Sequence, residues 1–194
     1  VYVGVESDVV CTFTNTRETG SLKVVKTVNE AGGVTDGTFG FTSNTSLGDF
    51  ELTTVDGTAE TDSVDLPTGS YDLAEVVPSG WSLTGLECSG GEYSTEGSSV
   101  SVYVGVESDV VCTFTNTRET GSLKVVKTAV GGNATFGFTS DSALGDFDLT
   151  TVDGTAETKS VSVPTGSYEV TESDLDGWSL TGLECSGGEY STEG

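Results

Sequence analysis

The stretch VYVGVESDVVCTFTNTRETGSLKVVKT, residues 1–27, recurs without a single change at residues 102–128. A later stretch also repeats: SGWSLTGLECSGGEYSTEG at 79–97 matches DGWSLTGLECSGGEYSTEG at 176–194. The spacing between the copies shortens only in the loop that follows Lys127. Near-identity over such lengths predicts a tandem array of one structural module.

The module boundaries follow from a polar stretch inside the repeat. RETG at 17–20 separates CTFTNT from SLKVVKT and is typical of a linker. We therefore assign 1–17 to the last strand of a preceding module, 18–118 to one complete module, and 119–194 to a second module without its own last strand. A sheet that lacks a strand has an open edge, so we expect either a longer array or donation of residues 1–17 to a neighbouring copy. Both arrangements are head-to-tail contacts that do not close.

Short runs of alternating apolar and polar residues predict β-strands. These runs are 21–27, 38–43, 49–54, 60–66, 69–76, 81–87, 91–95 and 99–115, the last with a break near Glu107. Turn formers such as Asp56-Gly57 separate them. About eight short strands per hundred residues, without a helical period, predict an all-β fold of tandem immunoglobulin-like β-sandwich modules.

The composition excludes several classes of function. The 194 residues include 31 acidic and 7 basic residues and no histidine, for a formal net charge of −24. Such a surface repels nucleic acid and anionic lipid, and no apolar run is long enough to insert into a membrane. The sequence has no Ser–Lys or carboxylate pair at motif spacing and no phosphate-binding glycine loop. We therefore expect no enzymatic turnover and no cofactor.

Three polar residues lie on strand faces that are otherwise apolar. Alternation places Lys26, Glu75 and Asn116 on the inward faces of the first, a middle and the last strand of the complete module. Burial favours the neutral forms of the amine and the carboxyl. A neutral amine is a nucleophile, and a protonated carboxyl can polarise the carboxamide carbonyl and shuttle protons. The alternative is that Lys26 extends to solvent, Asn116 caps a strand end, and Glu75 simply pairs with Lys26.

The complete module contains three distinctive motifs: GSLKVVKT at 20–27, GSYDLAEVVPSGW at 69–81 and CTFTNT at 112–117. Through these motifs it resembles the Cna B-type or SpaA-type prealbumin-like domain of bacterial surface proteins and pilins. The resemblance implies a prealbumin-like β-sandwich. The chain departs from the family pattern at Val28, where Asp is frequent, and before Trp178, where the proline is lost.

Many members of that family carry an intramolecular Lys–Asn isopeptide bond formed with the help of a buried acid. For the complete module the resemblance implies Lys26 as the amine, Glu75 as the acid and Asn116 as the carboxamide. For the second module it implies Lys127 and Glu172, with Asn15 of a neighbouring copy as the carboxamide. The two departures leave all of these positions unchanged.

The four cysteines fit the same register. Cys88 and Cys112 are the cysteines of the complete module, which predicts a disulfide between them, with free buried thiols as the alternative. Cys185 would then pair with Cys11 of a neighbouring copy. Without histidine or a C-x-x-C motif, no metal site is predicted. Disulfides imply an oxidising, extracellular compartment.

Together these features predict a structural subunit or repeat of an extracellular filament, pilus or surface stalk, whose partner is another copy of itself. The alternative is a binding module of a surface adhesin, with glycan stacked on Trp81 or calcium held by an acidic loop such as 174–176. Trp81 follows a Pro/Gly turn, where an indole more often fills the end of a sandwich. Repetition favours the structural role, because a binding face in every module needs avidity to justify it.

Overall fold

The structure is a computed structural model that describes residues 1–31 and 35–192. The chain divides into two compact units: among the described residues, unit 1 contains 1–30 and 35–118, and unit 2 contains Ala31 and 119–192. All regular structure in the described residues is β-strand, which confirms the predicted all-β class. That part of the chain accordingly holds no helix long and apolar enough to cross a membrane.

Unit 1 is a two-layer β-sandwich. Its strands are β1 (Thr19–Asn29), β2 (Thr38–Ser43), β3 (Phe50–Thr53), β4 (Thr58–Glu60), β5 (Val64–Pro67), β6 (Gly69–Val76), β7 (Trp81–Ser89), β8 (Tyr93–Glu96), β9 (Ser99–Val104) and β10 (Asp109–Arg118). One sheet has the order β4-β1-β10-β7, with β5 also paired to β1. The other has the order β3-β2-β6-β9-β8.

The first and last strands of unit 1 lie side by side. β1 and β10 pair in parallel, with Val24 opposite Cys112 and Lys26 opposite Phe114. Parallel neighbours need a long crossover, and here the crossover is the rest of the unit. Because the strands are parallel, the chain enters this pair at one end and leaves it at the other.

The core of unit 1 lies between the two sheets. Alternation buries every second residue of β1, β9 and β10, as expected for strands with one face toward a core. Phe41 on β2 packs edge-on against Phe114 on β10, with ring centroids 5.2 Å apart. This aromatic pair joins the two layers beside the site described below.

Two predicted strands are divided in the structure. The run 60–66 is divided into β4 and β5 at Thr61. There the Val24 N–H donates to the Thr61 hydroxyl at 3.1 Å instead of to a backbone carbonyl, although the Thr61 N–H still donates to the Val24 carbonyl at 2.9 Å. The run 99–115 becomes β9 and β10. Between them Glu107 has a φ of 54°, a left-handed conformation that interrupts an extended chain.

Unit 2 forms smaller sheets than unit 1, although the two sequences are closely similar. Its strands are β11 (Thr120–Leu123), β12 (Val126–Thr128), β13 (Thr135–Ser140), β14 (Phe147–Thr150), β15 (Thr155–Glu157), β16 (Val161–Pro164) and β17 (Val170–Glu172). The sheets are β11-β16, β12-β15 and β14-β13-β17. Within the described residues 173–192 there is no strand, and Leu180 and Leu183 are exposed.

Residues 1–17 are solvent-exposed, with a turn at Gly4–Ser7 in which Glu6 has a φ of 60°. Their described residues form no strand, and only Gly4 is half-buried. Tyr2 and Phe13 are each about nine-tenths exposed, at 91% and 90%. Residues 1–17 are therefore exposed, whereas the identical sequence at 102–118 is largely buried in unit 1, where it contains β10.

Candidate functional site

Lys26 is a fully buried lysine in the C-terminal half of β1. It faces inward because it alternates with Leu22 and Val24, which are buried on the same face. Its Nζ donates to the backbone carbonyls of Phe114 at 3.1 Å and Thr27 at 3.2 Å. Such a site holds an amine away from water, where it would otherwise be protonated.

Asn116 and Glu75 complete a buried cluster around this amine. Lys26 Nζ donates to Asn116 Oδ1 at 2.6 Å, and Asn116 Nδ2 donates to Glu75 Oε1 at 2.7 Å. Lys26 Nζ and Glu75 Oε1 are 3.6 Å apart. The structure thus brings the three predicted residues together, and we call Lys26, Glu75 and Asn116 the crosslinking triad.

The three residues of the triad come from both sheets of the sandwich. Lys26 and Asn116 belong to the parallel pair β1 and β10, whereas Glu75 reaches across from β6 in the opposite sheet. The β7–β10 register shifts between Thr115 and Asn116. A shift of this kind locally re-aims side chains. The amine and carboxamide are therefore neighbours within one layer, and the acid approaches them from the other.

Burial moves both titratable groups toward their neutral forms. It lowers the pKa of Lys26 to about 8, against the opposing charge and hydrogen bond of Glu75. Burial also raises the pKa of Glu75, opposed by the Lys26 charge and by hydrogen bonds from Asn116 and Lys26. Glu75 Oε2 is buried without a hydrogen-bond partner, a further cost to the carboxylate form. An uncharged amine beside an uncharged acid is the pair that amide formation needs.

The arrangement can join Lys26 to Asn116. The Lys26 Nζ attacks the Asn116 Cγ, the bond from Cγ to Nδ2 breaks, and the nitrogen leaves as ammonia. Glu75 Oε1 lies near both the attacking and the leaving nitrogen, so it can pass a proton between them. The carbonyl oxygen faces Lys26 rather than Glu75. This geometry favours the proton-shuttle role of the acid over polarisation of the carbonyl.

Unit 2 holds two members of the same triad. Lys127 Nζ donates to Glu172 Oε1 at 2.6 Å. The two side chains are 12% and 17% exposed, whereas those of Lys26 and Glu75 are 0% exposed. Asn15, the predicted third member, lies in the exposed segment 1–17. Among the described residues, the pair in unit 2 thus has no carboxamide at the position that Asn116 occupies in unit 1.

A family model for the SpaA-type prealbumin-like fold domain matches residues 22–118 and 123–194. The chain belongs to this family. The two matched segments confirm the resemblance drawn from the sequence motifs, and they correspond to the two copies of the module. No curated protein matches the chain.

Three solved structures are similar to this chain. The Bacillus anthracis TIE protein is 24% identical with a TM-score of 0.42, over 80% of this chain and 28% of that one. The major pilin T-13 of Streptococcus pyogenes is 15% identical with a TM-score of 0.45, over 84% of this chain and 86% of that one. A streptococcal ancillary pilin is 18% identical with a TM-score of 0.34, over 80% of this chain and 53% of that one.

An aromatic residue that strand alternation did not single out also belongs to this prealbumin-like site. The Phe39 ring lies 4.2 Å from Lys26 Nζ, and Phe136 lies 4.2 Å from Lys127 Nζ in unit 2. The signal was the motif TFGF, present at 38–41 and again at 135–138. A ring over the amine excludes water and stabilises any positive charge that develops there.

In this SpaA-type module a disulfide joins Cys88 to Cys112. The two cysteines face each other across β7 and β10, so β10 is tied to a second neighbour. Cys11 and Cys185 are free and exposed. The pairing of those two between copies stays a prediction.

We expect unit 1 of the double variant Cys88→Ser/Cys112→Ser to melt at a lower temperature than unit 1 of the wild type. The disulfide closes a loop with a sequence separation of 24, which corresponds to about 3 kcal/mol of unfolding free energy, or roughly 10–25 °C. Differential scanning calorimetry measures the shift. The matched control is Cys11→Ser/Cys185→Ser, which leaves the unit 1 transition in place; equal transitions for the two variants would contradict the prediction.

Trp81 packs at the end of this prealbumin-like sandwich. Its ring meets Phe39 edge-on at a centroid distance of 5.1 Å, and the Arg118 guanidinium lies 5.5 Å from its ring. The indole is half-buried and fills the end of the core, as the Pro/Gly turn before it indicates. Over residues 1–31 and 35–192, no three His, Cys, Asp or Glu residues come together as a metal site.

Proposed function

We propose that the chain is part of an extracellular filament, pilus or surface stalk built from prealbumin-like modules, and that its role is mechanical. The observation that carries this proposal is the crosslinking triad, a buried amine, carboxamide and acid in direct contact. The triad performs one self-limited reaction and leaves a covalent bond, so it is a maturation site and not a site of turnover. Membership of the SpaA-type family supports the same role.

The position of the triad suits a module under tension. Lys26 lies on the first strand of unit 1 and Asn116 on the last, 90 residues later. Tension reaches the unit through the N-terminal end of β1 and leaves it through the C-terminal end of β10. A Lys26–Asn116 bond would carry that tension directly between the two strands and keep it off the segment between them, which spans a sequence separation of 90.

The remaining features support an extracellular structural protein. The Cys88–Cys112 disulfide fits an oxidising compartment. A net charge of −24 keeps neighbouring stalks apart and disfavours contact with nucleic acid or anionic membrane. The partner we propose is another copy of the module, because long stretches of the module recur almost unchanged within the chain.

Two assemblies satisfy the proposed module boundaries of 1–17, 18–118 and 119–194. In a long tandem array, the strand that completes 119–194 comes from the same chain. In head-to-tail complementation it comes from residues 1–17 of another copy, with Cys11 then close enough to pair with Cys185. Both assemblies would complete unit 2 with an added strand, and both are linear.

Intact mass spectrometry of the denatured chain tests the triad. We expect a mass about 17 Da below the sequence mass, after allowance for the disulfide, because bond formation releases ammonia. Peptide mapping should recover a branched peptide that joins Lys26 to Asn116. Glu75→Gln should restore the full mass, whereas the matched variant Glu172→Gln should keep the branched peptide. An unshifted wild-type mass, with Lys26 and Asn116 recovered in two separate linear peptides, would contradict the proposal.

A further inference from the structure

We propose that a bulge in β7, formed by Thr84 and Gly85, aims the Asn116 carboxamide at the Lys26 amine, so that both bulge residues are positioning residues of the crosslinking triad. We call Thr84 and Gly85 the β7 bulge. The inference rests on the proposed function, because it assigns to a strand outside the triad a part in the reaction of that same site.

The bulge is visible in the spacing of the core residues along β7. The residues of β7 that pack against the core of unit 1 are Trp81, Leu83, Leu86 and Cys88. Their partners on β10 are, in the same order, Arg118, Asn116, Phe114 and Cys112. The partners are evenly spaced, whereas the step from Leu83 to Leu86 contains one residue more than the step it faces. The β7 bulge therefore lies opposite the single residue Thr115, which is the arrangement of a β-bulge.

The burial pattern of β7 does not require this extra residue. A strand without Thr84 would alternate regularly and would still place Leu83 opposite Asn116 on the core side. The effect of the β7 bulge is therefore local, at the step between Thr115 and Asn116 where the register shifts. A bulge bends its strand and increases the local twist, and this one lies directly beside the reactive carboxamide. Its place in the ladder indicates a role in the geometry of Asn116.

Side chains from both neighbouring strands bind the β10 backbone just before Asn116. From β7, the Thr84 hydroxyl donates to the Thr115 carbonyl at 3.3 Å. From β1, Lys26 Nζ donates to the Phe114 carbonyl at 3.1 Å. The two carbonyls that precede Asn116 are thus each bonded to a side chain of an adjacent strand. These bonds restrict where the Asn116 Cγ lies relative to the amine, which is the condition for a fast intramolecular reaction.

Gly85 allows β7 and β10 to approach closely at the bulge. A Cβ added to this glycine would lie 3.3 Å from Thr115 Cβ and 3.4 Å from Thr115 Oγ1. In a closely packed sheet an alanine here would displace Thr115 and, with it, the adjoining Asn116. The equivalent glycine of unit 2 is Gly182, and among the described residues no atom lies within 4 Å of its added Cβ. Gly182→Ala is therefore a matched control for Gly85→Ala.

The rate of crosslinking in unit 1 tests the inference. Full-length chains are made by cell-free synthesis under oxidising conditions and denatured at intervals, and the branched Lys26–Asn116 peptide is quantified by mass spectrometry. Deletion of Thr84 and Gly85→Ala should each slow its formation at least about tenfold, because a misplacement of about 1 Å between reacting groups lowers a rate by up to about 100-fold. Gly182→Ala should crosslink at the wild-type rate.

Two measurements separate positioning from a loss of structure. The Cys88–Cys112 disulfide should form in both bulge variants, because it needs the same β7–β10 register. In a Glu75→Gln background, where no crosslink forms, deletion of Thr84 should shift the melting temperature of unit 1 by less than about 8 °C. If the deletion alone loses the disulfide, the rate of Gly85→Ala decides, because that variant keeps the length of β7. Loss of the disulfide in both variants, or a larger shift, would assign the β7 bulge to the fold instead of the reaction.

The remaining outcomes distinguish this inference from the proposed function. Bulge variants that crosslink as fast as the wild type would overturn the role of the β7 bulge and leave the proposed function standing. Slow crosslinking in Gly182→Ala would also contradict that role, because the change lies in unit 2. A wild-type chain without the branched peptide would overturn the proposed function, and the role of the β7 bulge with it.

Discussion

Under tension, unit 1 of the wild-type chain will not lengthen, whereas unit 1 of the Glu75→Gln variant will extend by more than about 200 Å. The proposed Lys26–Asn116 bond would bypass the segment between its ends, which spans a sequence separation of 90. Without that bond the whole unit can unravel, except for the loop that the Cys88–Cys112 disulfide closes over a separation of 24. The roughly 75 residues released span about 3.4 Å each when extended. Single-molecule force spectroscopy on chains held at both termini measures the difference.

The controls of this experiment isolate the triad. Unit 2 contributes equally to both chains, so the difference between them belongs to unit 1. The matched variant Glu172→Gln should leave unit 1 inextensible. Reduction of the disulfide should add about 80 Å to the Glu75→Gln extension and nothing to the wild type, because the loop lies inside the bypassed segment. A wild-type unit 1 that extends as far as the variant would contradict the prediction.

The same Glu75→Gln change should lower the melting temperature of unit 1 by about 20–35 °C. A bond that closes a loop of 90 residues lowers the chain entropy of the unfolded state. For a loop of this length, the loss of entropy raises the free energy of unfolding by about 4–5 kcal/mol. For a module of about 100 residues, each kcal/mol shifts the midpoint by roughly 4–8 °C. Calorimetry resolves the unit 1 transition.

A second variant separates the loss of the bond from the loss of a charge partner. Glu75→Gln leaves Lys26 buried beside a neutral amide, which itself destabilises the fold. Lys26→Met/Glu75→Leu removes both charged groups and also cannot form the bond. We expect this double variant to lose most of the same stability, because the closed loop stabilises the unit more than the charge pair does. A double variant that melts like the wild type would show that the crosslink adds nothing to thermal stability.

Alternation of side chains made part of the site predictable. A strand with one face in a core buries every second residue, so the positions of Leu22 and Val24 already indicate that Lys26 faces inward. The same argument places Asn116 with Cys112 and Phe114. What alternation cannot show is whether two inward residues on different strands meet, because each strand has its own register.

The sequence by itself determined the repeat, the all-β class and the inward position of each triad residue, since all three depend on local periodicity or on direct comparison of the two copies. Only the tertiary structure decided that β1 and β10 pair in parallel, that Glu75 reaches Asn116 from the opposite sheet, and that Phe39 covers the amine. It also decided the division of the 60–66 run, through the hydrogen bonds of Thr61 with Val24. These contacts join residues far apart in the chain, and their geometry depends on how two twisted sheets stack, which no local pattern specifies.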